Sequence, residues 1–129
     1  MLQIRHGVFE TNSSSTHSIT ICKKSEYDAW VRGEVYLNDS WWPKSLENEN
    51  KDKKFLTKEE AMRLIADRDR NEDVYSLDEE ELSGVFYDEC IYDTEMYGNK
   101  CEYYEEYEEK YVTDSGDVII AFGYYGNDY

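Results

Sequence analysis

Eight residues near the start of the chain, Thr11 to Ser18, read TNSSSTHS and bring together four serines, two threonines, an asparagine and His17. A hydroxyl there could serve as a nucleophile with His17 as its base and Arg5 close by in sequence, or the backbone N–H groups of such a loop could hold an anion. A triad, however, needs three groups within hydrogen-bond reach and an oxyanion hole. The stretch also lacks the glycines of a phosphate loop or a nucleophile elbow. The simpler expectation is a hydroxyl-rich turn that bonds its own backbone between two strands.

Cys22, Cys90 and Cys101 together with His17 would supply the four ligands of a Cys3His zinc site. No two cysteines stand at the C-x2-C spacing that marks such sites, so zinc is a candidate without a motif, and nothing else in the chain requires a cofactor. Cys22 reads equally well as a small hydrophobe at the end of a β-branched strand. The odd count of three cysteines, and an opening MLQIRHGVF without the apolar stretch of a signal peptide, lead us to expect reduced thiols in the cytosol.

The broadest chemical signal is charge. Thirty Asp and Glu oppose 14 Lys and Arg, for a formal net charge of −16, a field that repels nucleic acid and anionic membrane and attracts basic partners. Residues 1–70 hold 12 basic and 12 acidic side chains, whereas residues 71–129 hold 2 basic and 18 acidic, so the whole excess is C-terminal. Eleven of the 13 tyrosines lie there too. The carboxylates are Asp78, Glu79, Glu80, Glu81, Asp88, Glu89, Asp93, Glu95, Glu102, Glu105, Glu106, Glu108 and Glu109. Such runs often only keep a protein soluble. Calcium would need a D-x-[DN]-x-[DN]-G loop, which is absent. Phosphate mimicry is the third reading: closely spaced carboxylates can occupy a basic groove built for nucleic acid. Interleaved tyrosines favour an interaction face, with Tyr87, Tyr92, Tyr97, Tyr103, Tyr104 and Tyr107 as candidate anchors.

The elements that must position these groups can be read from periodicity. His17 to Cys22 alternates polar and apolar residues and suits a half-buried strand, preceded by short extended pieces at Met1–Arg5 and Val8–Glu10. Ser25 is placed to cap a helix through Arg32, with Gly33 just past its end. Glu34–Leu37 offers a further strand. Asn38 to Lys54 holds the only proline, Pro43, and reads as a loop inside one domain. Thr57 and Glu60 form a capping box for a helix to about Arg68, and Ser76 is a cap for another that ends before Cys90. Cys101–Val112 and Asp117–Tyr125 flank the turn sequence Thr113–Gly116, which predicts a C-terminal hairpin. Tyr104, Tyr107 and Tyr111 also fall at helical spacing, so a helix there is the alternative.

Three blocks carry a resemblance. Residues 5–21, RHGVFETNSSSTHSITI, resemble the opening of small phage and prophage proteins of Gram-positive bacteria, and FLTKEEA (55–61) and SGDVIIAFGYYGND (115–128) resemble later parts of the same group. That group brings no catalytic residues with it. In physical character the chain is similar to phage-encoded anti-CRISPR proteins that inhibit the type II RNA-guided nuclease: small, cytosolic, strongly acidic and without an enzyme motif. Members of that class bind the nuclease's basic channel or the site that reads the short motif beside the target, and so exclude DNA.

The expectation is therefore an α+β chain of one domain spanning residues 1–129. A small antiparallel sheet, made of N-terminal strands and the C-terminal hairpin, would carry two or three short helices. A neutral half over 1–70 would support an acidic, tyrosine-rich half over 71–129. The expected function is stoichiometric, non-enzymatic binding of a basic nucleic-acid-handling protein in the host bacterial cytosol, most concretely a host CRISPR nuclease whose DNA loading or cleavage is blocked. Direct nucleic-acid binding and membrane association are not expected. A small phage enzyme or ligand-binding protein built on the Thr11–Ser18 loop is the rival. An acidic virion or regulatory protein without mimicry is the third option.

Overall fold

The computed structural model describes residues 15–102 and 104–127. The expected extended pieces at 1–5 and 8–10, Arg5, Thr11 to Ser14 and Tyr103 lie outside the described residues. The chain is α+β, and it divides into two compact units, residues 1–28 with 98–129, and residues 29–97. Among the described residues there are four α-helices and two three-stranded antiparallel sheets, one sheet and at least one helix more than expected.

The sheet of the first unit joins β1 (Ser15–Lys23), β5 (Glu105–Val112) and β6 (Val118–Asn127) in the order β1-β6-β5. The hairpin expectation holds, including its turn: Gly116 sits at φ +90°, where a side chain is disfavoured, and Thr113 and Asp117 close the loop with a 2.8 Å backbone bond. The helical alternative for 104–111 does not form, because pairing from Glu105↔Tyr125 to Val112↔Val118 satisfies the backbone in extended form. The central strand β6 is the apolar one, and Ile120, Ala121, Phe122 and Tyr124 are buried. Helix α1 (Lys24–Val31) contributes Tyr27, whose ring meets Phe122 edge-on at 5.4 Å.

Helix α1 starts one residue before the expected Ser25 cap. The Glu26 carboxylate accepts the Lys23 backbone N–H at 3.0 Å, so a carboxylate rather than the serine hydroxyl satisfies that end. Its other end is a Schellman motif. Gly33 at φ +80° lets Glu34 N–H reach Ala29 O at 2.9 Å and Gly33 N–H reach Trp30 O at 3.0 Å.

The second unit packs helices on very short strands: β2 (Tyr36–Asn38), β3 (Phe55–Leu56) and β4 (Ile91–Tyr92), in the order β3-β2-β4. Helix α2 (Lys58–Asp69) has the expected Thr57/Glu60 capping box. Helix α3 (Glu79–Asp88) is capped by Asp78 and not by Ser76, because the Asp78 carboxylate accepts Glu81 N–H at 2.8 Å while Ser76 ends a 3-10 turn, Asp73–Ser76. Helix α4 (Thr94–Lys100), unforeseen from sequence, is capped by Asp93, which accepts Met96 N–H at 2.8 Å. Leu56, Ala61, Leu64, Ile65, Leu82, Phe86 and Ile91 form the core.

The loop from Asp39 to Lys54 is closed around one buried polar residue. Asn38, 6% exposed, donates from Nδ2 to Lys51 O (3.1 Å) and Lys53 O (2.9 Å), and its Oδ1 accepts from Ser40 N–H (3.3 Å) and Trp42 Nε1–H (3.1 Å). Both donors and both acceptor positions of the amide are thereby used, which is the condition for burying it. Asn48 adds a 2.7 Å bond to Asp67 on α2. Trp42 is held inward under the Arg68 guanidinium, 5.5 Å from its ring centre, while its neighbour Trp41 is 87% exposed.

Candidate interaction surface

The carboxylates singled out above fall into both units. Counted over the full sequence, the first unit holds 5 basic and 11 acidic residues and the second 9 basic and 19 acidic. The two groups also differ in what their oxygens do. In the second unit Asp78 and Glu81 close the capping box of α3, Asp93 caps α4, and Glu89 pairs with Arg68, whose guanidinium also holds Asp69. Glu79 lies 3.9 Å from Lys58 at the surface. Several of these acids are thus engaged in helix ends and ion pairs; Glu80, Asp88 and Glu95 are exposed.

Strand β5 is different. Cross-strand register puts Glu105 and Glu109 on one face with Tyr107 and Tyr111, and Glu106 and Glu108 on the other with Lys110. Glu105 accepts from the Tyr125 hydroxyl and Glu108 from the Tyr27 hydroxyl. Among the described residues, no lysine or arginine lies within ion-pair distance of Glu102, Glu105, Glu106, Glu108 or Glu109. A strand advances about 3.4 Å per residue, so four carboxylates in the five positions 105–109 approach the charge density of one duplex strand, which carries a phosphate every ~3.4 Å of axis.

Most of the tyrosines have another role. Tyr92 and Tyr97 are 3% and 5% exposed and belong to the second unit's core, where Tyr97 meets Trp30 edge-on at 5.3 Å. They are not surface anchors; short elements with few aliphatic residues use aromatic rings to fill the interior. Tyr104 and Tyr107 are half-buried against their own sheet. Tyr107 crosses the central strand over Gly123, and its hydroxyl donates to Ser18 O at 2.7 Å. A Cβ at Gly123 would run into that carbonyl and lie 2.6 Å from the Tyr107 hydroxyl, so glycine is what lets the ring lie flat across three strands. Burial, then the neighbouring Glu109, pushes the Tyr107 hydroxyl up to about 12 and keeps it a donor. Burial and the Glu108 contact raise Tyr27 further still. Tyr104 packs on Tyr124 at 5.1 Å, with Lys100 above the same Tyr124 ring. Of the six candidate anchors, Tyr87 alone is both described and openly exposed.

The other sequence candidates are dispersed or recast. Ser15 to Ser18, read as part of a turn up to Thr16, already belong to β1, paired from Ser15↔Asn127 to Ser18↔Tyr124. Cys22 and Cys101 are buried in the first unit and Cys90 lies in the second. Among the described residues no three His, Cys, Asp or Glu side chains converge on a metal position. Burial, with Glu26 nearby, raises the Cys22 thiol to about 11, so in the metal-free chain it is a protonated, buried group. A cleft of about 740 Å³ between the 43–47 segment and the end of α2 sets Arg63, Arg68 and Arg70 against Glu47, Asp67 and Glu72, a balanced lining without a dominant charge.

Sequence reasoning missed Asn38 and Gly123. An isolated glycine inside a strand pattern was the available signal for Gly123. No local pattern marks Asn38, whose partners lie 2 to 15 residues away. No described helix is long and apolar enough to cross a membrane. Compared with protein-family models, curated proteins and solved structures, the chain matches none.

Proposed function

We propose that this chain is a non-enzymatic inhibitor that binds a basic nucleic-acid-handling protein through strand β5, most specifically the positively charged channel of a type II RNA-guided nuclease. The observation that carries the reading is the row Glu105, Glu106, Glu108 and Glu109, exposed or half-exposed and, among the described residues, without a lysine or arginine partner. Such a row meets the arginines and lysines of a phosphate-binding groove at little internal cost, because no ion pair must first be broken. Bound stoichiometrically, it would compete with DNA loading or hold back cleavage. The likeness in physical character to phage inhibitors of that nuclease supplies the choice of partner.

The test is competition between this protein and target DNA for the guide-loaded nuclease. Reversal of Glu105, Glu106, Glu108 and Glu109 to lysine is expected to weaken binding at least ~100-fold, and raised salt to weaken the unaltered protein. Reversal of Glu79, Glu80 and Glu81 is expected to cost less than tenfold, with His17→Ala close to neutral. Loss of function in His17→Ala with full function in the β5 reversals would overturn the proposal in favour of chemistry at the hydroxyl-rich segment.

A further inference from the structure

The three-stranded sheet of the first unit has two edges, and they are treated unequally. β5 carries Glu105, Glu106, Glu108, Glu109 and Lys110, five charges in eight residues. Charged side chains are the usual protection of an edge against pairing with another chain. β1 is the longer edge at nine residues, and from Ser15 to Cys22 it holds no carboxylate, lysine, arginine, proline or glycine. Among the described residues no strand lies beyond it. Its Ile21 is 55% exposed although it pairs with the fully buried Ala121.

We propose that β1 pairs antiparallel with β1 of a second copy, joining two three-stranded sheets into one of six strands. A second copy fits this edge because the uncharged run is self-complementary. In a two-fold pairing that keeps the pleat, the positions of Ser15, His17, Ile19 and Ile21 in one copy meet that same set in the other, and those of Thr16, Ser18, Thr20 and Cys22 meet theirs. No like charges meet within Ser15–Cys22, whereas two β5 edges would oppose glutamates. The pairing covers Ile21. It also leaves β5 at both outer margins of the joined sheet, about 24 Å apart at ~4.8 Å per strand spacing. A dimer would thus offer two carboxylate rows to one partner and gain from their linkage.

Sedimentation equilibrium of the full chain under reducing conditions tests this. A dimer is expected, and its association should tighten as salt rises, because two molecules of −16 repel each other. That salt response is opposite in sign to the one expected for a basic partner, so the two proposals fail separately. Ile21→Lys, at an exposed position, should weaken the dimer by at least about tenfold with an unchanged circular dichroism spectrum, while Ile21→Thr and Lys110→Glu leave it within about threefold. A monomer at every salt concentration up to ~0.1 mM protein, or a dimer indifferent to Ile21→Lys, overturns the proposal.

Discussion

The two units reach stability by different routes. The first uses long strands, a buried central strand and tyrosines laid across neighbours, and among the described residues its edge carboxylates have no cation partner. The second uses strands of two or three residues, so little of its cohesion comes from ladders. Helix packing, carboxylate caps, ion pairs and one buried amide take their place. The comparison teaches which acids are available. Where carboxylates terminate helices or hold arginines, negative charge is part of the fold. On β5 it has little structural task, and that is where a partner can claim it.

The largest expected effect lies at the amide hub. Asn38→Leu removes four side-chain bonds and leaves two part-buried carbonyls and the buried Trp42 indole N–H without this partner, so it should destabilise the second unit by roughly 3–5 kcal/mol in urea unfolding. If the loss is below ~1 kcal/mol, the contrast between ladder and hub is wrong. Next comes Gly123→Ala, which forces Tyr107 off the sheet and should cost the first unit about 3 kcal/mol, with Tyr107→Phe losing only ~1 kcal/mol for its bond to Ser18.

A smaller and opposite effect is expected at Arg70. It closes α2 in the left-handed region at φ +53°, with its N–H and that of Asn71 directed to Ala66 O. Arg70→Gly should therefore stabilise the second unit by about 0.5–1 kcal/mol, measured as a raised urea midpoint.

The smallest effect per group concerns pH. Cys22 and Tyr107 ionise later in the folded chain than their ordinary values of 9.0 and 10.0, at about 11 and about 12. Raised values favour folding fully below the ordinary value, and that contribution is lost as pH climbs through the folded one. The first unit should thus weaken between about pH 9 and 12. Glu60 shifts the other way. Burial would raise it, but bonds from Lys53 and Thr57 prevail, so its contribution to the second unit disappears in acid. Alkaline titration by circular dichroism that shows both units lost together would merge the two sides of the comparison.

How much was legible in advance follows from where each signal resides. The Thr57/Glu60 box, Gly33 and the Thr113–Gly116 turn are local chemistry, and they predicted α2, the end of α1 and the hairpin. The strand His17–Cys22 and the apolar β6 were visible as period-two patterns. β4 and α4 were not: Ile91–Tyr92 is too short for a pattern, and the Asp93 cap stands in an acidic run where it looks like surface charge. The carboxylates of the site were legible by composition, but which ones remain unengaged depends on contacts such as Arg68 with Glu89, 21 residues apart. Tyrosine misled for the same reason. Only tertiary structure separates Tyr97 in the core from Tyr87 on the surface.

The distribution of indole rings gives the two units separate optical signatures. Trp30, Trp41 and Trp42 all belong to the second unit, while the first has no tryptophan and eight of the 13 tyrosines. Emission excited at the red edge of tryptophan absorption therefore reports on the second unit alone. Within that emission Trp41 is the water-exposed fluorophore, quenched by acrylamide while Trp30 and Trp42 are shielded. An unmodified protein can thus be followed one unit at a time during unfolding, titration or binding.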